Sequence, residues 1–335
     1  MSSSTGASLA DELPDPDGRP PLHGDNANTG RLGDRIFGGA ATGAGLLIIA
    51  LVVLIGIFLL FQAVPAIGQD KVNFLTSRDW DITAKKFGIL QLLWTTVATS
   101  VVALVIAVPF AIAIALFLTQ YAPKWLSGPA AALIDLLAAV PSIVYGLWGY
   151  FIVAPKYATI QNWLSDHLGW FPLFGKVDGV GGGTTMFLVG IVLAIMVLPI
   201  VTALTREVFA QAPQAHQEAA YALGATKWEM IRTAILPFGR PGIISATMLG
   251  LGRALGETVA VLYILSSLPG GTKWTWSLFN GGDTFASKIA NGSSEFTPGI
   301  GTGAYVAAGL VLFVLTFVVN AIARVIIERR KAFSE

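Results

Sequence analysis

The chain has 335 residues, of which 54% are hydrophobic and 12% charged, with a net charge of +1. Soluble domains carry about 25% charged residues, so this chain has too little polar surface to cover a water-soluble globule, and its apolar residues must face lipid. The near-neutral balance gives no bulk attraction to nucleic acid, and the absence of cysteine removes disulfides, thiolate metal sites and cysteine nucleophiles together.

Residues 1–35 are polar and rich in Gly, Pro, Asp and Ser, and are expected to form a disordered cytoplasmic tail. No apolar stretch begins before about Gly43, and the run that follows outlasts the 7–15 residues of a signal peptide. A helix needs roughly 20 apolar residues to cross a bilayer while satisfying its own backbone. Six stretches qualify, near 40–65, 89–119, 130–154, 185–209, 241–268 and 300–327. The remainder, 36–335, reads as one transmembrane domain. Pro109 can kink the second stretch, and Pro141 before Ser142 offers a break in the third. Glycine-rich loops, with Gly181, Gly182 and Gly183 and later Pro269 to Gly271 and Asn280 to Gly282, separate the later stretches. Lys and Arg placement, led by Arg206, Arg232, Arg240 and the cluster Arg324, Arg329, Arg330 and Lys331, predicts both termini inside, with Lys85 and Lys86 counting against it. His23, His167 and His216 have no metal-ligand spacing. Tryptophans such as Trp94, Trp148, Trp170, Trp274 and Trp276 fall near stretch ends, where interface anchoring accounts for them.

The segment 217–237, between the fourth and fifth stretches, does not read as a loop. Leu223, Trp228, Ile231 and Ile235 give an apolar set, and Lys227, Glu229 and Arg232 a wet one. Gly224 permits a turn between two short helices, and Pro237 is expected to end the segment. Such a piece can lie on the membrane or dock in a partner's groove, and amphipathicity alone does not choose. In the fifth stretch, Arg253 and Glu257 stand where a charge costs about 2.5–3.5 kcal/mol on insertion scales. Spacing of four predicts one shared helix face, and Gly252 and Gly256 a close-packing pair. The two charges can neutralise each other or line an anion path, in which Arg253 matches phosphate oxygens and Glu257 accepts from the P–OH that sulfate lacks. Asp135 is expected to be capped or paired near the interface, and Arg206 and Glu207 to anchor there. No GxxxxGK[ST] loop is present, so energy must come from an ion gradient or a separate ATPase.

Glu218, Ala219, Ala220, Gly224, Leu236 and Pro237 resemble the EAA motif of ABC importer permeases, with Ala234 where the motif has isoleucine. The string from Gly252 to Thr258 and the stretch from Leu137 to Gly149 are similar to the permeases of phosphate-specific (Pst) importers, PstC type. The resemblance covers roughly 40–330. It implies an all-α type I permease fold in the bacterial inner membrane, with a coupling helix at about 217–237 that docks on an ATPase. It also implies a PstA-like permease partner, a PstB-like ATPase dimer that uses ATP, and a PstS-like binding protein that delivers inorganic phosphate. Arg253 and Glu257 occupy positions tied in that family to phosphate passage. No cofactor belongs to the chain itself. Other oxyanions such as sulfate or molybdate, a gradient-driven transporter, and a phosphate sensor remain as competing readings.

Overall fold

Long helices form where the apolar runs lie, because a backbone in lipid has no other donor or acceptor to turn to. The computed structural model describes residues 29–177, 180, 182–268, 274–296 and 300–331. The chain divides into two units, one ending at Ile57 and the other starting at Phe58. Among the described residues, five helices are long and apolar enough to cross a membrane, and a bent pair makes a sixth.

Helix α1 (Thr29–Ile67) begins inside the stretch read as tail. Residues 1–28 of that tail lie outside the described residues. From Leu46 to Ile57, α1 presents apolar side chains on every face, as a helix surrounded by lipid does. A short hairpin follows, β1 (Trp80–Asp81) against β2 (Lys86–Phe87). In its turn the Asp81 carboxylate accepts the Ala84 N–H at 2.9 Å, and this bond holds its pKa below the usual range.

The core of the second unit is a parallel pair, α2 (Leu90–Leu116) and α6 (Met186–Ala210). Both helices start near the loop 277–285 and end near residues 230–235. Ala103, Ala107, Ala111 and Ala115 recur every four residues on α2 and are fully buried. They form a small-residue seam of the kind that lets membrane helices approach closely. Helix α9 (Leu236–Leu255) packs antiparallel against α6. A Cβ at Gly239 would meet Phe209, one at Gly242 would meet Val208, and one at Gly250 would meet Val197 and Val201. On α9 the close-packing glycines are therefore these three. Gly252 has no atom within 4 Å of a Cβ position, and Gly256 has only the Gly252 carbonyl, so that pair makes no close helix contact among the described residues.

The third stretch is broken. Helix α3 (Lys124–Ala138) stops before Pro141, and α4 (Ser142–Trp148), a π turn and α5 (Ala154–Leu168) leave at 85°. Pro141 disfavours helical backbone in the residue before it and serves as the N-cap of α4. Tyr145 spans the break, its hydroxyl donating to the Leu137 carbonyl at 3.0 Å.

Segment 274–284 was expected to be an irregular loop, yet Ser277, Phe279, Asn280 and Thr284 are buried. Its carbonyls at Asn280 and Leu278 accept the N–H groups of Met186 and Phe187 at 3.0 and 2.8 Å. These are donors that the first turn of α6 cannot satisfy itself. Gly183, at φ +76°, sits so close to the α5 backbone that a Cβ would fall 2.4 Å from the Ala154 carbonyl, so Gly183 is packed in place. Residues 269–273 and Gly181 lie outside the described residues. After α11 (Phe285–Asn291), the last long helix is α12 (Ile300–Lys331).

Candidate functional site

Arg253 stands in the last turn of α9, where the helix dipole favours a cation. Its Nε is buried and without a hydrogen-bond partner, and no ion pair reaches it among the described residues. The side chain lines a cavity of about 580 Å³ between α6, α9 and α12, whose walls include Ile200, Met248 and Leu249 and whose other polar members are Ser245 and Asn320. Arg253 is also within electrostatic reach of the Tyr145 hydroxyl.

Glu257 does not share a helix face with Arg253. Helix α9 ends at Leu255 with Gly256 as its C-cap, and α10 (Val259–Ile264) starts anew after Thr258. Four-residue spacing places two side chains together only on an unbroken helix. Glu257 is 9% exposed, and its Oε1 accepts the Ala260 N–H at 3.1 Å, so the carboxylate satisfies the start of α10. It is not among the residues lining the cavity.

The segment 217–237 is a helix, a tight turn and a second helix. Helix α7 (Gln214–Ala222) ends in a Schellman arrangement, with Gly224 N–H on the Tyr221 carbonyl and Ala225 N–H on that of Ala220. Gly224 adopts φ +82°, and open space surrounds its Cβ position. Backbone conformation, not crowding, demands glycine there. Gly224→Ala is expected to cost about 1–2 kcal/mol of local stability, read as faster amide hydrogen exchange across 220–228 with the long helices unchanged.

Helix α8 (Lys227–Met230) opens with a capping box between Thr226 and Glu229. It runs through a π turn at 231–235 into α9, one continuous helix over Lys227–Leu255. Pro237 therefore does not end the segment. It lies in the first turn of α9, and the π turn before it accommodates the ring and the missing N–H. Pro241 lies further inside the same helix.

The apolar set splits in two. Ile231 and Ile235 are fully buried in a small core with Met230, Phe209 and Ala115. Leu223 is 89% exposed and Trp228 56%, so they stand out on the tip with Glu218 and Ala219. Lys227 lies over the Tyr121 ring at 4.5 Å, tying the tip to the end of the α2 run. Leu236 is half-buried beside the small core, and Ala220 also packs against it.

Asp135 on α3 is paired, as expected, and its partner is Arg206 on α6 at 3.6 Å. Trp94 and Trp274 each pack edge to face on Trp276, with Arg78 over the Trp274 ring at 4.2 Å. They are thus mutually packed, not only interface anchors. His167 stacks on Trp163 and donates Nδ1–H to its carbonyl. Ser245 and Asn320 escaped the sequence reading, although an asparagine within the apolar run of α12 was a visible signal.

Residues 107–332 match the family of binding-protein-dependent transport system inner membrane components. The phosphate transport system permease protein PstC 2 of Mycobacterium tuberculosis is 54% identical over 92% of this chain and 96% of its own length. PstC of Mycobacterium leprae is 56% identical over 88% and 92%, and PstC of Mesorhizobium japonicum 39% over 89% and 91%. Among solved structures, a bacterial ABC transporter that imports alginate matches with a TM-score of 0.54 at 18% identity, over 89% of this chain and 99% of its own. That likeness supports the fold alone. The chain belongs to the binding-protein-dependent transport system inner membrane components and, within them, to the phosphate transport system permeases of the PstC type.

Proposed function

We propose that this chain is one half of the pore of an ATP-driven phosphate importer in the bacterial inner membrane, with both termini cytoplasmic. The observation that carries the reading is Arg253, a guanidinium in a membrane helix with a buried, unpartnered Nε at the wall of a 580 Å³ cavity. An ionisable group left unpaired in a membrane helix is costly, and a passing anion supplies the missing partner. The planar fork of arginine matches phosphate oxygens, and the relatives' names support phosphate among the anions.

Glu257 serves the path indirectly, by holding the start of α10 beside the break that follows Arg253. The tip around Glu218, Ala219, Ala220 and Gly224 acts as the coupling helix, with Leu236 and Pro237 joining it to α9. A PstA-like subunit completes the pore, a PstB-like ATPase dimer receives the tip, and a PstS-like protein delivers phosphate at the opposite face. Closure of the ATPase on ATP pushes the tip, and the small core below it passes the motion to α2, α6 and α9.

The test is uptake of labelled phosphate into vesicles holding the four-component complex. Uptake that needs both ATP and the binding protein, and that sulfate and molybdate leave unchanged, is the expected result. Uptake driven by an ion gradient without the ATPase overturns the reading in favour of a secondary transporter.

A further inference from the structure

Resting on that transport reading, we propose that Ser245 and Asn320 complete an oxyanion station with Arg253, Asn320 as a second donor and Ser245 as the acceptor for the P–OH of phosphate. All three side chains line the same cavity. Asn320 sits within the apolar run of α12 and is exposed to that space. Its side chain makes no hydrogen bond with another described residue. An amide so placed carries unmet donors and acceptors in a medium that cannot satisfy them, as the Arg253 Nε does.

Ser245 differs from both. Its hydroxyl donates to the Pro241 carbonyl one turn back, at 3.0 Å, so its only proton is engaged and its remaining lone pairs are what it offers the cavity. Ser245 lies two turns before Arg253 on α9, a separation of about 12 Å along the axis. Long helical side chains lean toward the N-terminus, so Arg253 reaches back toward Ser245 and shortens that gap toward the size of one tetrahedral anion. Both protonation states of phosphate near neutral pH keep a P–OH, and sulfate has none. Glu257 was the residue expected to read that proton, but its carboxylate is engaged at Ala260 and lies outside the cavity lining. Ser245 takes over the role as a neutral acceptor that does not repel the anion.

The test uses the four-component complex in vesicles, with assembly and basal ATP hydrolysis measured beside transport. Asn320→Leu is expected to lower the maximal rate of phosphate uptake about tenfold, the value of one hydrogen bond to an anion. The half-saturating phosphate concentration, set at the delivery protein, and basal ATP hydrolysis stay unchanged, and Asn320→Gln restores most of the rate. Ser245→Ala is read separately, in vesicles preloaded with labelled phosphate or sulfate, with no binding protein and the ATPase held by a non-hydrolysable ATP analogue. There it is expected to narrow the ratio of phosphate to sulfate efflux about tenfold. Loss of assembly or of basal hydrolysis in Asn320→Leu, together with an unchanged ratio in Ser245→Ala, overturns the station. Unchanged rate and ratio in a native complex that imports phosphate overturn the station alone, whereas a native complex that does not import phosphate overturns the transport reading itself.

Discussion

Arg253→Gln is expected to cut ATP-driven phosphate uptake about hundredfold or more while the complex assembles and retains basal ATP hydrolysis. A hydrogen bond to a charged group contributes about 1.5–3 kcal/mol, and a guanidinium commonly makes two such bonds to one phosphate. Glutamine keeps a polar head of similar reach and removes the charge and the fork. The folded state loses little, because the Arg253 side chain has no ion pair or hydrogen bond among the described residues to be broken. This separates a transport role from a structural one. Had Arg253 been half of a buried pair with Glu257, removing it would have left an uncompensated carboxylate at a cost of about 3–5 kcal/mol, and the complex itself would have suffered. Arg253→Lys is expected to restore part of the rate, since charge returns without the planar geometry. Full uptake in Arg253→Gln excludes the guanidinium from the path.

Leu223→Asp and Trp228→Ala are each expected to abolish co-purification of the ATPase and, with it, ATP-driven uptake. These two side chains stand out from the tip of the helix-turn-helix, Leu223 almost fully exposed and Trp228 about half covered. Aromatic anchors at interfaces commonly contribute 2 kcal/mol or more on truncation, a loss of about thirtyfold in affinity, and a carboxylate at Leu223 adds a desolvation penalty. Ile231 and Ile235 give the contrasting control. Both are fully buried, so Ile235→Ala should loosen the permease itself, lowering its thermal stability by about 2–5 kcal/mol. Retention of the ATPase by both tip variants would mean that the tip lies on the membrane surface, not in a partner's groove.

The spans were legible because lipid imposes a simple demand of about twenty apolar residues with an internally bonded backbone. Four of six stretches became unbroken or nearly unbroken helices, and the break in the third was marked by Pro141. The break in the fifth was not legible. Its apolar pattern runs through Gly256, and glycine in a membrane helix signals close packing as often as an ending. That one uncertainty carried Glu257 from a shared face with Arg253 to the start of α10. The tip was legible as amphipathic, but a helical period could not tell that Ile231 faces Phe209 while Leu223 faces nothing, since that depends on where α6 ends. The alanine seam of α2 was silent for another reason: alanine is weakly hydrophobic, and only the proximity of α6 gives its spacing meaning. Burial of 274–284 rests on long-range partners, through bonds to Met186, Phe187, Leu173 and Ser266 and ring contacts of Phe279 with Phe174 and Phe187, which no local pattern announces.

The hydroxyl-rich first half of α2 bears on how the chain is made. Helix α2 leaves the ribosome well before its principal partner α6, and at synthesis rates of about 5–20 residues per second it waits in the bilayer for several seconds. Thr96, Thr99 and Ser100 all donate to carbonyls of their own helix, at 2.7, 2.8 and 2.8 Å, so these hydroxyl protons do not need α6 to be satisfied. The helix can therefore be inserted as an independent unit and held there. Only later does Thr96 accept the Phe285 N–H, at 3.1 Å, when the chain beyond α10 has emerged. That bond joins the second span to a segment made long after it, and it forms only once that segment has reached the membrane.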